Sequence, residues 1–273
     1  MEELKMKKLI TLLLALTMVL ALAGCTVTKE NSNTNPPRDE GDLSYVLGNG
    51  KMVIGYTDYA PMNYTDESGT FTGFDTELAI AGCEKLGVEP EFVDINWETK
   101  EVELNAKSID CIWNGFTIDA DRLATMEITK PYVKNAQVVV MKEGAVYEGT
   151  ASLIGKTVAA EQGSAGEKTV NADDNLKQAS FVPKTLQTEC LMEVKAGTAD
   201  AAVLDLTLAN TMTGEGTNYA DIIIVDRLAE ENYGVAFRKG SDICAEVNRI
   251  FDELVADGTM SALAEKYGLD LAE

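Results

Sequence analysis

The sequence MVIGY at residues 52–56 is a short apolar run, which predicts a β-strand. The sequence DTELAIAGCEKL at residues 75–86 predicts a helix, because its apolar residues recur at helical spacing. Asp75 is a favourable N-cap for this helix, and Gly87 is placed to end it. The sequence EFVDI at residues 91–95 predicts the next strand. A strand, a helix and a strand in this order indicate a parallel β-α-β unit.

The same alternation continues along the chain in two series. The first series adds a short helix at 98–106, a strand at 111–113, a helical segment at 119–126 and a strand at 137–141. The second series has strands at 156–160, 180–182, 201–204, 221–225 and 234–238, with helices from 164 and at 186–196, 206–212, 243–255 and 260–267. Two such series predict two α/β lobes with parallel sheets. Ligands bind beyond the carboxyl ends of the strands in such sheets, so a cleft between the lobes is the expected site.

The composition excludes several classes of function. The formal charge is −22 at pH 7, and such a surface repels nucleic acid and anionic lipid. The chain has no histidine, which excludes a Ser-His-Asp triad and His-ligated metal sites. Four cysteines follow the N-terminal region: Cys83, Cys111, Cys190 and Cys244. They lack the CxxC spacing of zinc sites, so we expect them to be buried free thiols. We therefore expect no metal, no cofactor and no nucleic-acid partner.

The first 24 residues have the pattern of a secretory signal peptide. A positively charged start precedes an apolar run at residues 9–21, which is short for a membrane-spanning helix. The sequence LAGC at residues 22–25 resembles the lipobox of bacterial lipoproteins, which implies that Cys25 carries a lipid after cleavage. An ordinary cleaved signal, with Cys25 present by chance, is the alternative. The polar residues that follow predict a flexible tether, so residues 25–42 comprise the lipidated cysteine and its tether.

A set of short motifs runs through nearly all of residues 51–267. The clearest motif is GFDTELA at residues 73–79. The others, in chain order, are YAPM at 59–62, NGFTI at 114–118, PY at 131–132, LIGKTV at 153–158, QGS at 162–164, GTADA at 197–201 and YGVAFRKGS at 233–241. In their order, these motifs resemble those of solute-binding protein family 3, the polar-amino-acid receptors of bacterial ABC importers.

This resemblance implies a periplasmic-binding-protein-like clamshell of two α/β lobes joined by a two-crossing hinge. Lobe one would comprise residues 43–134 plus 236–273, and lobe two residues 138–232. The hinge crossings would lie near residues 134–137 and 232–234. The family implies a monomer without catalytic activity, held by its lipid anchor on the extracytoplasmic face of the cell membrane. It would capture an amino acid and deliver it to the permease subunits of an ABC transporter.

The resemblance also assigns the groups that bind the ligand carboxylate. Arg122 matches the carboxylate-binding arginine of the family, and a planar guanidinium group suits that role. Gly115 and Thr117 match positions that hold the ligand head group through the backbone and a hydroxyl group. Ser164 and Ala165 open a helix whose free N–H groups would share the carboxylate. The alternatives are a surface ion pair for Arg122, a plain turn at Gly115 and an N-cap for Ser164.

The remaining assignments concern the ligand ammonium group and side chain. Asp205 matches the ammonium-binding aspartate of the family, with a helix N-cap as the alternative. Tyr59 matches one aromatic wall of the ligand site. Trp97 falls near the other wall, with a core position as the alternative, whereas Trp113 is expected in the core. Asp58 is placed to contact a ligand side chain, but the bound amino acid stays open between cystine and other polar amino acids.

Two other functions stay open at this stage. A few members of the fold are dehydratases that act on cyclic carboxylic acids, and such chemistry needs a carboxylic acid in the cleft. Glu161 is the candidate acid here. The other alternative is a ligand-sensing surface lipoprotein that passes its ligand state to a partner.

Overall fold

The computed structural model of the protein describes residues 41–272. The predicted signal peptide, the lipidation site Cys25 and most of the predicted tether lie outside the described residues. The tether prediction extends to residue 42, but a helix, α1, already begins there and covers Asp42–Asn49. The backbone N–H of Leu43 donates a hydrogen bond of 2.8 Å to the carboxylate of Asp242, so the start of α1 is tied to the folded part.

Strands and helices alternate through the described chain as the sequence predicts. The strands are β1 (Lys51–Tyr56), β2 (Tyr64–Thr65), β3 (Phe71–Thr72), β4 (Glu89–Asp94), β5 (Cys111–Thr117), β6 (Met126–Ile128), β7 (Val133–Lys142), β8 (Thr157–Glu161), β9 (Ser180–Lys184), β10 (Ala201–Asp205) and β11 (Ile222–Arg238). The helices after α1 are α2 (Phe74–Leu86), α3 (Lys100–Asn105), α4 (Ala120–Thr125), α5 (Ala165–Ala172), α6 (Gln187–Ala196), α7 (Leu206–Met212), α8 (Ile243–Ala256) and α9 (Thr259–Tyr267). Short 3₁₀ turns lie at Trp97–Thr99, Thr150–Leu153 and Leu176–Gln178.

Residues 41–272 contain a nine-stranded mixed sheet and a small hairpin of β2 and β3. The strand order is β4-β1-β5-β11-β7-β10-β8-β9, and β6 pairs with β11. On one side β1 runs parallel to β4 and β5, and on the other β8 runs parallel to β9 and β10. The two longest strands, β7 and β11, run antiparallel between these groups. The predicted α/β class is therefore confirmed, but the centre of the sheet is antiparallel rather than parallel.

Strand β11 corrects the sequence prediction at one point. The sequence predicts two strands, at 221–225 and 234–238, whereas the structure has one continuous strand. The charged residues between them do not break the strand, because they pair with the backbone of β7 from Ile222 to Tyr233. Irregularities in the β11 register, as between Ile224 and Asp226, accommodate this long pairing. The predicted hinge crossings lie on β7 and β11, while the division into two lobes stays a prediction.

The core of the described chain consists of three clusters of buried apolar side chains. The largest includes Leu78 of α2, Trp113 of β5 and Phe251 of α8, so Trp113 is a core residue as predicted. The four cysteines within the described residues are buried free thiols, which confirms that prediction. Within residues 41–272, every helix falls short of the length and apolar character needed to cross a membrane.

Candidate functional site

A pocket lies where several strands of the sheet end. Residues at or just beyond the carboxyl ends of β1, β5, β8 and β10 line it, together with the N-terminus of α5. This is the position that an α/β sheet favours for a ligand. The pocket is narrow, with a cavity volume of only about 10 Å³. All eight residues predicted to bind the ligand line this pocket: Tyr59, Trp97, Gly115, Thr117, Arg122, Ser164, Ala165 and Asp205.

Arg122 is the cationic side chain of the pocket lining. Asp119 caps α4 by accepting hydrogen bonds from two backbone N–H groups, which fixes the start of the helix that carries Arg122. The guanidinium group donates to the carbonyl oxygen of Thr117 at 2.8 Å and lies 4.3 Å from the centre of the Phe116 ring. Its ion pair with Asp119 is long, at 3.8 Å, and only 8% of the residue is exposed. Burial lowers the pKa of Arg122, and an anion at the pocket would compensate this loss of hydration.

Asp205 presents a carboxylate to the same pocket. Its side chain does not cap α7, although the residue occupies the N-cap position. Instead, one carboxylate oxygen accepts hydrogen bonds from the amides of Asn135, at 2.8 Å, and Gln137, at 2.5 Å. The other oxygen accepts from the amide of Gln187. A carboxylate has about four acceptor positions, so three amides orient Asp205 and leave room for a further donor.

A second carboxyl group, that of Glu231 on β11, lies directly behind Asp205. Its oxygen accepts hydrogen bonds from the same two amides, Asn135 at 2.6 Å and Gln137 at 2.9 Å, and from the hydroxyl group of Thr117 at 2.9 Å. Burial and the nearby charge of Asp205 raise the pKa of Glu231. The hydroxyl group of Thr117, which the sequence assigns to the ligand, is therefore engaged by Glu231.

Gly115 has a conformation that requires glycine. Its φ angle is +57°, and an added Cβ atom would lie 2.6 Å from a ring carbon of Tyr59. Its N–H donates to Asp75 at 2.7 Å, so this donor is unavailable to a ligand. The N-cap prediction for Asp75 is wrong, because Gly73 holds that position and Asp75 accepts from Gly115 and Tyr132. Burial raises the pKa of Asp75 to about 7.

The N-terminus of α5 faces the pocket with free donors. The Ser164 hydroxyl group accepts from the N–H of Glu167 at 3.1 Å, so Ser164 caps the helix as the alternative interpretation expects. In the described part of the chain, no hydrogen bond engages the N–H groups of Ala165 and Gly166. Both groups belong to the first turn of the helix, where free N–H groups and the helix dipole favour an anion, and Ala165 lines the pocket.

Two aromatic residues border the pocket, and both are also packed. Tyr59 is 4% exposed, and its hydroxyl group hydrogen bonds to Thr207 at 2.5 Å and to Tyr233 at 2.6 Å. Trp97 is 5% exposed and packs against Phe116 with ring centres 5.9 Å apart. Trp97 thus belongs to the core and lines the pocket at once. Each ring is mostly buried and exposes only a small part of its surface to the pocket.

Some buried polar residues at the site were missed by the sequence interpretation. Lys100 donates to the carbonyl oxygens of Trp97, at 2.9 Å, and Gly163, at 2.8 Å, and burial lowers its pKa to about 8. Gln187 lines the pocket beside Asp205, and Asn135 and Gln137 support it from β7. No motif signals these residues, since a lysine or an amide within a helix or strand has no distinctive spacing.

The sequence and the fold both have known relatives. Residues 52–270 match the family described as bacterial extracellular solute-binding proteins, family 3. The arginine-binding extracellular protein ArtP of Bacillus subtilis is 26% identical over 96% of this chain and 98% of its own length. The L-cystine-binding protein TcyJ of Escherichia coli is 28% identical over 86% of this chain and 89% of its own.

A solved structure extends the similarity to three dimensions. The substrate-binding protein of an ABC uptake transporter from Streptococcus pneumoniae, solved with bound histidine, superposes with a TM-score of 0.76. It is 27% identical, and the match covers 84% of this chain and 96% of that one. The predicted clamshell fold class is thereby confirmed.

Proposed function

Because this chain belongs to the bacterial extracellular solute-binding proteins of family 3, we propose that it captures a free amino acid outside the cytoplasm and delivers it to an ABC importer. The observation that carries the proposal is the presence of Arg122 and Asp205 in one buried pocket. A zwitterionic head group has one negative and one positive end. A pocket with one buried guanidinium group and one oriented carboxylate is complementary to it.

The ligand carboxylate is assigned to Arg122 and to the N-terminus of α5. The guanidinium group donates to the carbonyl oxygens of Thr117 at 2.8 Å and Gly163 at 3.5 Å, and its remaining N–H donors suit a carboxylate. The free N–H group of Ala165, which lines the pocket, would add a further donor. Because Arg122 belongs to predicted lobe one and α5 to predicted lobe two, binding would draw the two lobes together.

The ligand ammonium group is assigned to Asp205, which still has an acceptor position free of amide donors. Tyr59 and Trp97 would enclose the ligand next to the head group. Relatives support a ligand of this class, because ArtP is an arginine-binding protein, TcyJ is an L-cystine-binding protein, and the Streptococcus pneumoniae protein was solved with bound histidine. The proposed ligand is accordingly a free α-amino acid.

The attachment to the cell follows from the N-terminal sequence. We propose that Cys25 is acylated and holds the protein on the extracytoplasmic face of the membrane, with the permease subunits of the importer as its partners. The net charge of −22 argues that attachment depends on the lipid rather than on attraction to anionic headgroups. The protein would act as a monomer.

A ligand screen tests the binding function. The purified protein is heated with each of the twenty common amino acids, cystine and ornithine, and the melting temperature is recorded. A ligand at 100 times its dissociation constant stabilises the folded state by about 2.7 kcal/mol, which gives a clear shift. The amide and N-acetyl derivatives of the best ligand should give little shift, because each lacks one charge of the head group. If no free amino acid shifts the melting temperature, the proposal is wrong. Turnover of arogenate or prephenate would instead indicate a dehydratase.

A further inference from the structure

Glu161 is a buried acid of the pocket that the assignments above leave unused. It is the last residue of β8, is 4% exposed, and lines the same pocket as Arg122 and Asp205. Its backbone oxygen accepts from the N–H of Ser164, but within residues 41–272 no hydrogen bond reaches its side-chain carboxyl group. Buried carboxyl groups are normally hydrogen bonded or paired with a charge. The missing partner of Glu161 is therefore expected in the pocket itself.

The charges that line the pocket are unequal. Three acids, Asp58, Glu161 and Asp205, face one cation, Arg122. The head group of an amino acid uses Arg122 for its carboxylate and Asp205 for its ammonium group. This pairing leaves the acidic side chains of Glu161 and Asp58 unmatched. Lys100 is not part of the pocket lining; its ammonium group donates to two backbone carbonyl oxygens, and its charge acts on Glu161 without a hydrogen bond between them.

The surroundings of Glu161 also favour a cation beside it. Burial and the neighbouring charge of Asp205 hold the pKa of Glu161 well above its usual range, and Glu189 acts in the same direction. Lys100 and Arg122 act in the opposite direction but do not outweigh the burial. The carboxylate form is thus short of positive charge, and a ligand cation would supply it.

We propose that Glu161 is a specificity-determining residue that selects amino acids with a cationic side chain. The side-chain cation pairs with Glu161 while Arg122 and Asp205 hold the head group. This inference rests on the proposed function, since it presupposes an amino acid in this pocket. It narrows the ligand to a class that carries two positive charges and one negative charge.

Titration calorimetry with L-arginine and L-citrulline tests the inference. The two amino acids have the same length and differ in one feature, the charged guanidinium group against a neutral urea group. The wild-type protein is expected to bind arginine at least about 30-fold more tightly, the lower end of the effect of a buried charge pair. In Glu161→Gln, arginine should lose most of this advantage while citrulline binds about as before. Glu215→Gln, an exposed position in the same part of the chain, is the matched control and should keep the wild-type ratio.

Each other outcome overturns the inference. A wild-type protein that binds arginine and citrulline within about threefold, roughly 0.65 kcal/mol, does not select for the cation. An equal loss of both ligands in Glu161→Gln would place Glu161 at the ammonium group instead. The comparison of the two ligands on the wild-type protein needs no variant, so a poorly folded Glu161→Gln cannot obscure it. If some neutral amino acid binds well and arginine does not, this inference fails and the proposed function stands. If no amino acid binds, both fail.

Discussion

Replacing Asp205 by asparagine separates the proposed ammonium site from a purely structural role. The substitution keeps the shape of the side chain and removes its charge. The oxygen that accepts from Asn135 and Gln137 can be retained, because the amide of asparagine has one such oxygen. The other position becomes an NH₂ group that faces the amide nitrogen of Gln187, so two donors would oppose each other there. Binding and stability should therefore both change, by different amounts.

The expected loss of ligand affinity and the expected loss of unfolding free energy differ in size. Loss of one partner of a buried charge pair costs about 2–5 kcal/mol, which lowers affinity roughly 30- to 3,000-fold. Loss of the hydrogen bond from Gln187 costs about 1–3 kcal/mol of unfolding free energy if its amide stays unsatisfied. The affinity loss should be confined to ligands with a free ammonium group. An N-acetylated ligand lacks that group, so wild type and Asp205→Asn should bind it equally weakly.

Titration calorimetry measures the affinities, and denaturant unfolding measures the stability of the same preparations. Glu215→Gln serves as the control for removing one carboxylate from the surface of the protein. If Asp205→Asn binds the best free amino acid within about threefold of wild type, roughly 0.65 kcal/mol, Asp205 does not bind the ammonium group. A loss of stability with unchanged affinity would assign Asp205 to the hydrogen-bond network alone.

Further predictions concern the backbone, the buried acid, the anchor and the closure of the protein. Gly115→Ala should lower the unfolding free energy by about 2 kcal/mol or more, because its Cβ would meet Tyr59, while Gly69→Ala, with a φ of +84° and open space, should cost only the backbone strain of about 1 kcal/mol. Because the pKa of Asp75 is raised from 3.8 to about 7, its contribution to the free energy of unfolding should be full below pH 3.8 and should be lost as the pH rises to about 7. Asp75→Asn should remove this decline in unfolding experiments at several pH values. Cys25→Ala should abolish fatty-acid labelling and release the protein from the membrane fraction; an unlabelled wild type would contradict the anchor. Small-angle scattering should give a smaller radius of gyration at saturating ligand, since donors for the carboxylate come from both predicted lobes, and an unchanged radius would argue against hinge closure.

The site residues that could be predicted from the sequence are those that lie at the ends of strands or at the starts of helices. Arg122, Ser164 and Asp205 each follow a recognisable strand or begin a helix, and strands that end at one edge of a sheet bring such residues together. For Asp205 and Ser164, only a structure could decide between ligand binding and the alternative role of helix N-cap. Only Ser164 caps its helix through its side chain, although both occupy N-cap positions.

The supporting network was not predictable, because its members Asn135, Gln137 and Glu231 lie within long strands rather than at their ends. Asn135 and Gln137 stand two apart in β7 and point to the same side, as strand geometry requires, but they interrupt an apolar run only briefly. Glu231 belongs to a charged segment that suggests a loop by composition. The segment is a strand because β7 supplies its backbone partners, and this pairing is a tertiary effect that local sequence does not encode.

The separation between the amide network and the rest of the pocket has a consequence for engineering. Asn135 and Gln137 orient Asp205 from within the sheet, whereas Glu161 stands at a strand end and is held by no side-chain hydrogen bond in the described chain. Residue 161 can therefore be substituted without loss of the hydrogen bonds that orient Asp205. A library of variants at position 161 should yield biosensor domains that bind different solutes. All of them would share the same fold and report binding through the same closure of the two predicted lobes.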